Sequence, residues 1–547
     1  MPRFRTVAEN AGIVAVFGAA VALIHPAGNF PANDDWDFAI ATWAFARTGH
    51  FHFTNFTAVS LRAVVLWGAM WTRLFGASFD VLRASTLALA AATLPVVHTI
   101  LRRANAGAFG RIVGTLAFTF HPIFIWSACT YMTEVPFVFV SALAFLFFLR
   151  AFQEDRFGLA IVATLLAVAS WFVRQTGITN LFAPLAIVLV ERRALTPHWR
   201  RYAALIASGL VLFAVLLIAK PQWLAGSVAE FAGHFQEWHQ ETFRLPQQIA
   251  QVDHYTIFNL QNAALFLLPL TLPLLVPSGR RWLRWEVVLA VAAGVLLFAR
   301  VQSVAAAGQL LPYFSSCCDI LPGNIFTNWG LGPQTLTDTW SRGGNYPVLL
   351  THGARLLLTY GSVVIAIALA TVLGRALANR RELTARLAIG TAIAGTMALF
   401  GAQFYFDRYE LDSAWAAAVA LVVLVPWQRR ACRALAVVAL IAIAAFDVCA
   451  VHDYFEWNRA RWTAIESLRA RGVPVNQLDG GSEASNFLER WTMTRREWRS
   501  SLANPPRAYV IAFGPISGYR TIETRRWRSW LGRRAGAIVT LERLPRS

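Results

Sequence analysis

Apolar residues run in long unbroken stretches along most of the chain, and polar residues gather between them. Ile161–Trp171 and Leu435–Ala445 contain no charged residue. Such continuity, without alternation of apolar and polar positions, excludes an outer-membrane β-barrel and predicts helices that cross a bilayer. The first stretch, Ala11–Ile24, follows Arg3 and Arg5 and has no convincing small-residue cleavage site after it. It is read as a span, not a signal peptide. Further spans are predicted at 82–101, 110–128, 131–150, 157–173, 176–190, 202–219, 258–276, 286–302, 350–373, 387–404, 412–427 and 434–450. The total is about thirteen at roughly 20 residues each. Leu61–Trp71 differs: it is too short to span with ease, holds two Trp, and has Arg62 and Arg73 near its ends. That pattern predicts an interfacial helix.

Composition sharpens this picture. Of the 547 residues, 56% are hydrophobic and 14% charged, where a soluble domain carries about 25% charged residues. Lys and Arg number 49 against 30 Asp and Glu, a net charge of +19. In a soluble protein this excess would suggest nucleic acid. Here the tendency of cytoplasmic loops to collect cations accounts for it, and no nucleic-acid partner is expected. With the N-terminus inside, every inside loop is basic: Arg102-Arg103 with Arg111, Arg150 with Arg156, Arg192-Arg193 with Arg200-Arg201, Arg280-Arg281 with Arg284, Arg375 to Arg386, and Arg429 to Arg433. That parity puts four longer segments outside: 25–81, 220–257, 303–349 and the tail from 451.

The tail is Arg-rich and lacks a long apolar run. A helix is predicted over about 455–471 and short strands near 507–513 and 536–541, making a small α/β domain at 451–547 beside a membrane domain at 1–450. The five Cys show no metal-ligand spacing, and no disulfide framework is expected.

The candidate chemistry lies in the acids of the outer side. Asn33-Asp34-Asp35-Trp36-Asp37-Phe38 places three carboxylates within four residues. They repel one another unless a cation, proton or metal answers them. An amphipathic helical stretch follows and ends at Gly49, so ordinary capping is the competing explanation, but capping needs only one Asp. Glu134, in Tyr131-Met132-Thr133-Glu134-Val135-Pro136-Phe137, stands alone at the start of an apolar run, where a carboxylate is expensive and usually faces a polar cavity. Arg174, Lys220 and Arg408 are cations near the same membrane level. They are candidates to bind a lipid-linked phosphate, with snorkelling to headgroups as the alternative. Lys220 is the only Lys in the chain.

Taken together, Asp34-Asp35-Trp36-Asp37-Phe38, the passage Phe75-Gly76-Ala77-Ser78-Phe79-Asp80-Val81-Leu82-Arg83, Thr133-Glu134-Val135-Pro136-Phe137 and Phe406-Asp407-Arg408-Tyr409-Glu410-Leu411 resemble, in this order, the motifs of GT-C superfamily glycosyltransferases. The likeness is to the bacterial relatives of protein O-mannosyltransferases and of the aminoarabinose transferase of lipid A. The late motif departs from the pattern, with Asp412-Ser413-Ala414-Trp415 in place of a Pro-rich continuation. Asn476-Gln477-Leu478-Asp479-Gly480-Gly481-Ser482-Glu483 also resembles an Asp-Gly-Gly stretch of some members, and a glycine turn explains it equally well.

The resemblance implies an all-α polytopic membrane protein of GT-C type A with a small α/β C-terminal extracytoplasmic domain. It also implies a bacterial cytoplasmic-membrane location and transfer of a sugar from a polyprenyl-phosphate donor to a lipid, glycan or protein hydroxyl, with inversion. By the same resemblance Asp34 or Asp35 is the base, the two being unranked. Asp37 and Glu134 would serve the donor or metal side, and Arg174, Lys220 and Arg408 the phosphate. A divalent metal would sit on Asp35 and Glu134 if one is used. A transporter or flippase is the alternative. It would place ionisable groups at mid-membrane, as only Asp447 is placed, and would use broken helices related by repeats.

Overall fold

The computed structural model describes residues 2–53, 60–219, 245–277, 283–313, 323–333, 335–341, 348–378, 383–399, 405–489, 507–532 and 536–545. Its helices in chain order are α1 Pro2–Ile24, α2 Asp35–Thr48, α3 Arg62–Phe75, α4 Phe79–Arg103, α5 Ala108–Thr119, α6 Pro122–Ala128, α7 Glu134–Glu154, α8 Phe157–Ser170, α9 Phe182–Glu191 and α10 Trp199–Ala219. There follow α11 Leu245–Phe266, α12 Leu268–Thr271, α13 Arg284–Ala306, α14 Thr337–Ser341, α15 His352–Ala378, α16 Leu383–Ala398, α17 Leu411–Leu424, α18 Arg430–Ala470 and α19 Ser482–Leu488.

The chain is a polytopic helical membrane protein, but the span count differs from the expected one. Among the described residues seven helices are long and apolar enough to cross a bilayer, and nine if each bent pair is one span. Proline explains part of the difference, because it removes a backbone donor and restrains the residue before it. The expected 110–128 span is α5 and α6, bent by 62° ahead of Pro122. The expected 258–276 span bends by 86° at Leu267, before Pro269 and Pro273. The expected 176–190 span opens as a 3₁₀ turn over Gln175–Leu181 before α9. α17 stops at Leu424, two residues before Pro426.

The stretch read as interfacial is α3. It buries Val64, Val65, Gly68, Ala69 and Thr72 and exposes Leu66, Met70, Leu74 and Phe75. The expected last span and the expected tail helix are one 41-residue helix, α18, unbroken across residues 450 and 451. Cys129, Cys432 and Cys449 are free thiols; Cys317 and Cys318 lie outside the described residues.

The tail sheet packs on the C-terminal part of α18. Its strands are β3 Leu478–Asp479, β4 Tyr509–Ala512, β5 Tyr519–Trp527 and β6 Gly536–Arg543, in the order β3-β4-β6-β5. β3 runs parallel to β4, and the other two pairs are antiparallel. (β1 Phe326–Thr327 and β2 Gly330–Leu331 form a separate small hairpin.) Alternate residues of β4 and β6 face opposite ways, as a pleated strand requires. Ile511 and Ile538 join the main core with Phe455 and Trp457, while Val510, Ala512, Val539 and Leu541 build a second cluster.

Arg461 fixes this unit to α18. Its guanidinium is fully buried and donates to Glu483 at 2.5 Å, to Asn458 and Thr335 at 3.1 Å each, and to the Gly480 carbonyl at 2.6 Å. The Asp479-Gly480-Gly481 stretch is thus part of an anchor.

Candidate active site

Asp34 occupies the N-cap position of α2, yet its side chain makes no capping hydrogen bond. Its Oδ2 instead accepts from Arg408 Nη2 at 2.5 Å, across 374 residues of sequence. Glu134 opens α7, is 1% exposed, and accepts from Arg174 Nη1 at 2.8 Å. Arg408 Nε stands 3.9 Å from the same Glu134 oxygen. Arg174 Nε stands 3.5 Å from Asp412 Oδ2, which also accepts from the Thr176 hydroxyl at 2.8 Å. Four side chains expected from the sequence, Asp34, Glu134, Arg174 and Arg408, therefore meet at the ends of α2, α7, α8 and α17. Three carboxylates and two guanidiniums alternate there, so each charge faces its opposite in a largely water-free site.

Aromatic rings hold the cations. Both Arg174 and Arg408 lie over the Tyr409 ring, at 5.2 and 5.4 Å from its centre, and Arg408 also lies over Phe406. Coulomb attraction to Asp34 and Glu134 holds Arg408 protonated against the opposing effect of its burial. Its Nε and Nη1 are buried with no hydrogen-bond partner among the described residues, as is Glu134 Oε2. Unmet donors on a buried guanidinium are costly unless a ligand acceptor fills them.

Local backbone geometry places Arg174. The chain leaves α8 at Ser170 and closes a tight turn back to Gly177. A Cβ at Gly177 would lie 2.4 Å from the Ser170 carbonyl carbon and the Trp171 nitrogen, so this position accepts glycine only.

Asp35 has a different setting from Asp34. It is fully buried, and its Oδ1 and Oδ2 accept from the backbone N–H groups of Ala32 at 2.6 Å and Tyr131 at 3.4 Å. Burial pushes its carboxyl up to about 7, against the lowering effect of Arg83 and of those N–H groups. Arg83, also buried, donates to the carbonyls of Pro26, Gly28 and Phe30 and so shapes the loop leading to the acids. Asp37 is buried in the first turn of α2. Lys220 lies outside the described residues.

The donor set does not fit a divalent cation on Asp35 and Glu134. Asp35 spends both oxygens on backbone N–H groups, and Glu134 faces two guanidiniums. Among the described residues no three His, Cys, Asp or Glu side chains converge as metal ligands.

Sequence reasoning passed over Asp412, Thr176 and Arg83. Asp412 had a usable signal: it stands four residues after Arg408, in a polar turn before an apolar run, much as Glu134 does. Arg83 closes the Phe75–Arg83 passage that carries the resemblance, but no role was attached to it. Thr176 had none.

An apolar groove lies between four helices of the bundle. It encloses about 210 Å³ between α11, α15, α16 and α17, and its lining includes Asn259, Ala263, Leu369, Ile389, Met397 and Ser413. Ser413 directly follows Asp412.

No protein-family model and no curated protein matches the sequence. Among solved structures, the chain is similar to ArnT from Cupriavidus metallidurans in the apo state, with 13% identity and a TM-score of 0.41 over 97% of this chain and 98% of that one. It is similar to ArnT from the same organism bound to undecaprenyl phosphate, with 12% identity and a TM-score of 0.40 over 98% and 97%. Arabinosyltransferase EmbB from Mycobacterium smegmatis is similar at 14% identity and a TM-score of 0.33, over 84% of this chain and 42% of that one.

Proposed function

We propose that this chain is a membrane glycosyltransferase that moves a sugar from a polyprenyl-phosphate donor to an acceptor hydroxyl on the extracytoplasmic face. The observation that carries this reading is Arg408. Two of its buried nitrogens lack hydrogen-bond partners among the described residues, and it is paired with a partly exposed carboxylate. A lipid-linked phosphate suits both features: its oxygens would fill the guanidinium, and the carboxylate it displaces would be left open to an acceptor.

The acceptor oxygen forms a bond to the anomeric carbon while the bond from that carbon to the phosphate oxygen breaks, with inversion. Asp34 takes the hydroxyl proton. Arg408, with Arg174 behind it, stabilises the phosphate as it leaves. Asp34 is favoured over Asp35 because its side chain is 23% exposed whereas Asp35 is fully buried. In the free protein Asp34 shares Arg408, and donor phosphate arriving on Arg408 would release Asp34 to the acceptor. Glu134 and Asp412 keep Arg174 in place and balance its charge.

The test is transfer of labelled sugar from polyprenyl phosphate to membrane acceptors. Asp34→Asn is expected to lower the rate about 100-fold or more, the usual size of a general-base contribution. Undiminished transfer in Asp34→Asn, Asp35→Asn and Glu134→Gln together would sink the site. The transporter reading draws support from the two bent helix pairs and from Asp447, which is buried in α18 with both oxygens lacking a hydrogen-bond partner among the described residues. Solute uptake without any transfer product would favour it.

A further inference from the structure

Residues 25–34 join α1 to α2 and deliver Asp34 to the site, yet they form neither helix nor strand. Each end of this loop holds a non-glycine residue in the left-handed region, His25 with φ 51° and Asn33 with φ 58°. Such backbone persists only where its surroundings over-determine it. Here two guanidiniums do so from two helices. Arg83 of α4 takes the carbonyls of Pro26, Gly28 and Phe30. Arg459 of α18 takes the intervening ones: its Nη1 donates to the carbonyls of His25 at 2.9 Å and Ala27 at 2.8 Å. Successive carbonyls from His25 to Gly28 thus go alternately to α18 and α4. The loop's donors are tied as well, with the Gly28 N–H on Asp80 at 2.7 Å and the Ala32 N–H on Asp35 at 2.6 Å.

Arg459 is itself held. Its Nη2 donates to Glu456 at 2.6 Å, which leaves Nη1 aimed at the loop. Phe455, Arg459 and Trp462 recur at i, i+4 and i+7, on one side of α18. The two rings of that row receive Phe30, which stacks on Trp462 at 6.2 Å and lies 6.3 Å from Phe455. Arg461, which fixes the tail to α18, lies outside the row.

We infer that Arg459 is a positioning residue of the reaction centre, setting the place of Asp34 through the His25 and Ala27 carbonyls. The inference rests on the transfer reaction proposed above. Asp34 does not cap its own helix, and Arg408 is the side chain that holds its carboxylate. Once donor phosphate occupies Arg408, that hold is gone, and the loop keeps Asp34 aimed at the acceptor. A misplacement of about 1 Å costs a reaction up to about 100-fold. Arg459 therefore acts on turnover after donor has bound, and not on donor binding.

The test uses the purified full chain, wild type and Arg459→Gln. The variant should fold with an unchanged thermal midpoint, because Arg459, His25 and Ala27 all reach the surface and water can take the freed carbonyls. Hydrogen–deuterium exchange of the Gly28 and Ala32 amides is expected to rise about tenfold in the variant. In the labelled-sugar assay kcat should fall about tenfold with the KM for donor unchanged. Arg459→Lys, whose single nitrogen lacks the fork, should regain part of that loss. In an Asp34→Asn background Arg459→Gln should cost nothing further, since a residue that acts through Asp34 has nothing left to position. Unchanged exchange, an unchanged kcat, or a further tenfold loss in the Asp34→Asn background overturns the inference. Absence of transfer by wild type would instead sink the reading of the site, and the exchange data would still decide whether Arg459 holds the loop.

Discussion

Asp34 and Asp35 are neighbours in sequence and separate in chemistry. Asp34 meets a guanidinium and retains access to solvent, whereas Asp35 is closed in among backbone N–H groups. Asp35 therefore carries a pH signature. Its folded value of about 7 lies above its ordinary 3.8, so between these values the folded carboxyl holds a proton that the unfolded one has lost. Stability contributed by this group is complete below about pH 4 and falls as pH rises to about 7. Thermal melting of the purified chain from pH 4 to 8 is expected to show a decline that Asp35→Asn removes. The Arg408→Lys variant addresses the phosphate. Lysine keeps the charge but loses the fork that reaches Asp34 and a phosphate together. The transfer rate is expected to drop about tenfold or more, with the larger share in the apparent affinity for donor, as read from initial rates over a donor series.

At the scale of elements, a turn and an anchor are open to test. Gly177→Ala places a methyl against the backbone of Ser170 and Trp171, so the turn must open and Arg174 must move. Transfer should fall strongly while the chain still inserts into membranes, since no span is altered. The anchor is the Arg461–Glu483 pair, with side chains 0% and 2% exposed. Glu483→Gln leaves a buried cation without its counter-charge, a loss of about 3–5 kcal/mol. Limited proteolysis is expected to release the tail from this variant sooner than from wild type. Other element-scale features were legible in sequence. The interfacial stretch became α3, the turn residues around Arg174 and Arg408 stand between helices, and two of the three tail strands longer than two residues fall near the expected positions. The bends at Pro122 and near Pro269 were not counted, because a hydropathy run reports apolar length and not the helical continuity that proline interrupts.

For the whole molecule, the charge pattern proposes a sidedness. A single cysteine at Arg192, in a cysteine-free background, is expected to be shielded from an impermeant maleimide in intact cells, whereas one at Arg528 should label. The reverse pattern would invert the topology and move the acid–guanidinium cluster to the cytoplasmic side. The sequence alone determined the membrane class, the outline of the α/β tail, and a short list of acids and cations, because continuous apolar runs and isolated charges beside them are costly enough to be informative without coordinates. Tertiary structure alone decided which charges pair. Asp34 and Arg408 are 374 residues apart, and nothing local in either segment encodes the other. It also separated Asp34 from Asp35, made Asp412 a partner of Arg174, and made one helix of the last span and the tail. Each outcome depends on burial and on partners brought in from distant parts of the chain, and those exist only once the helices have packed.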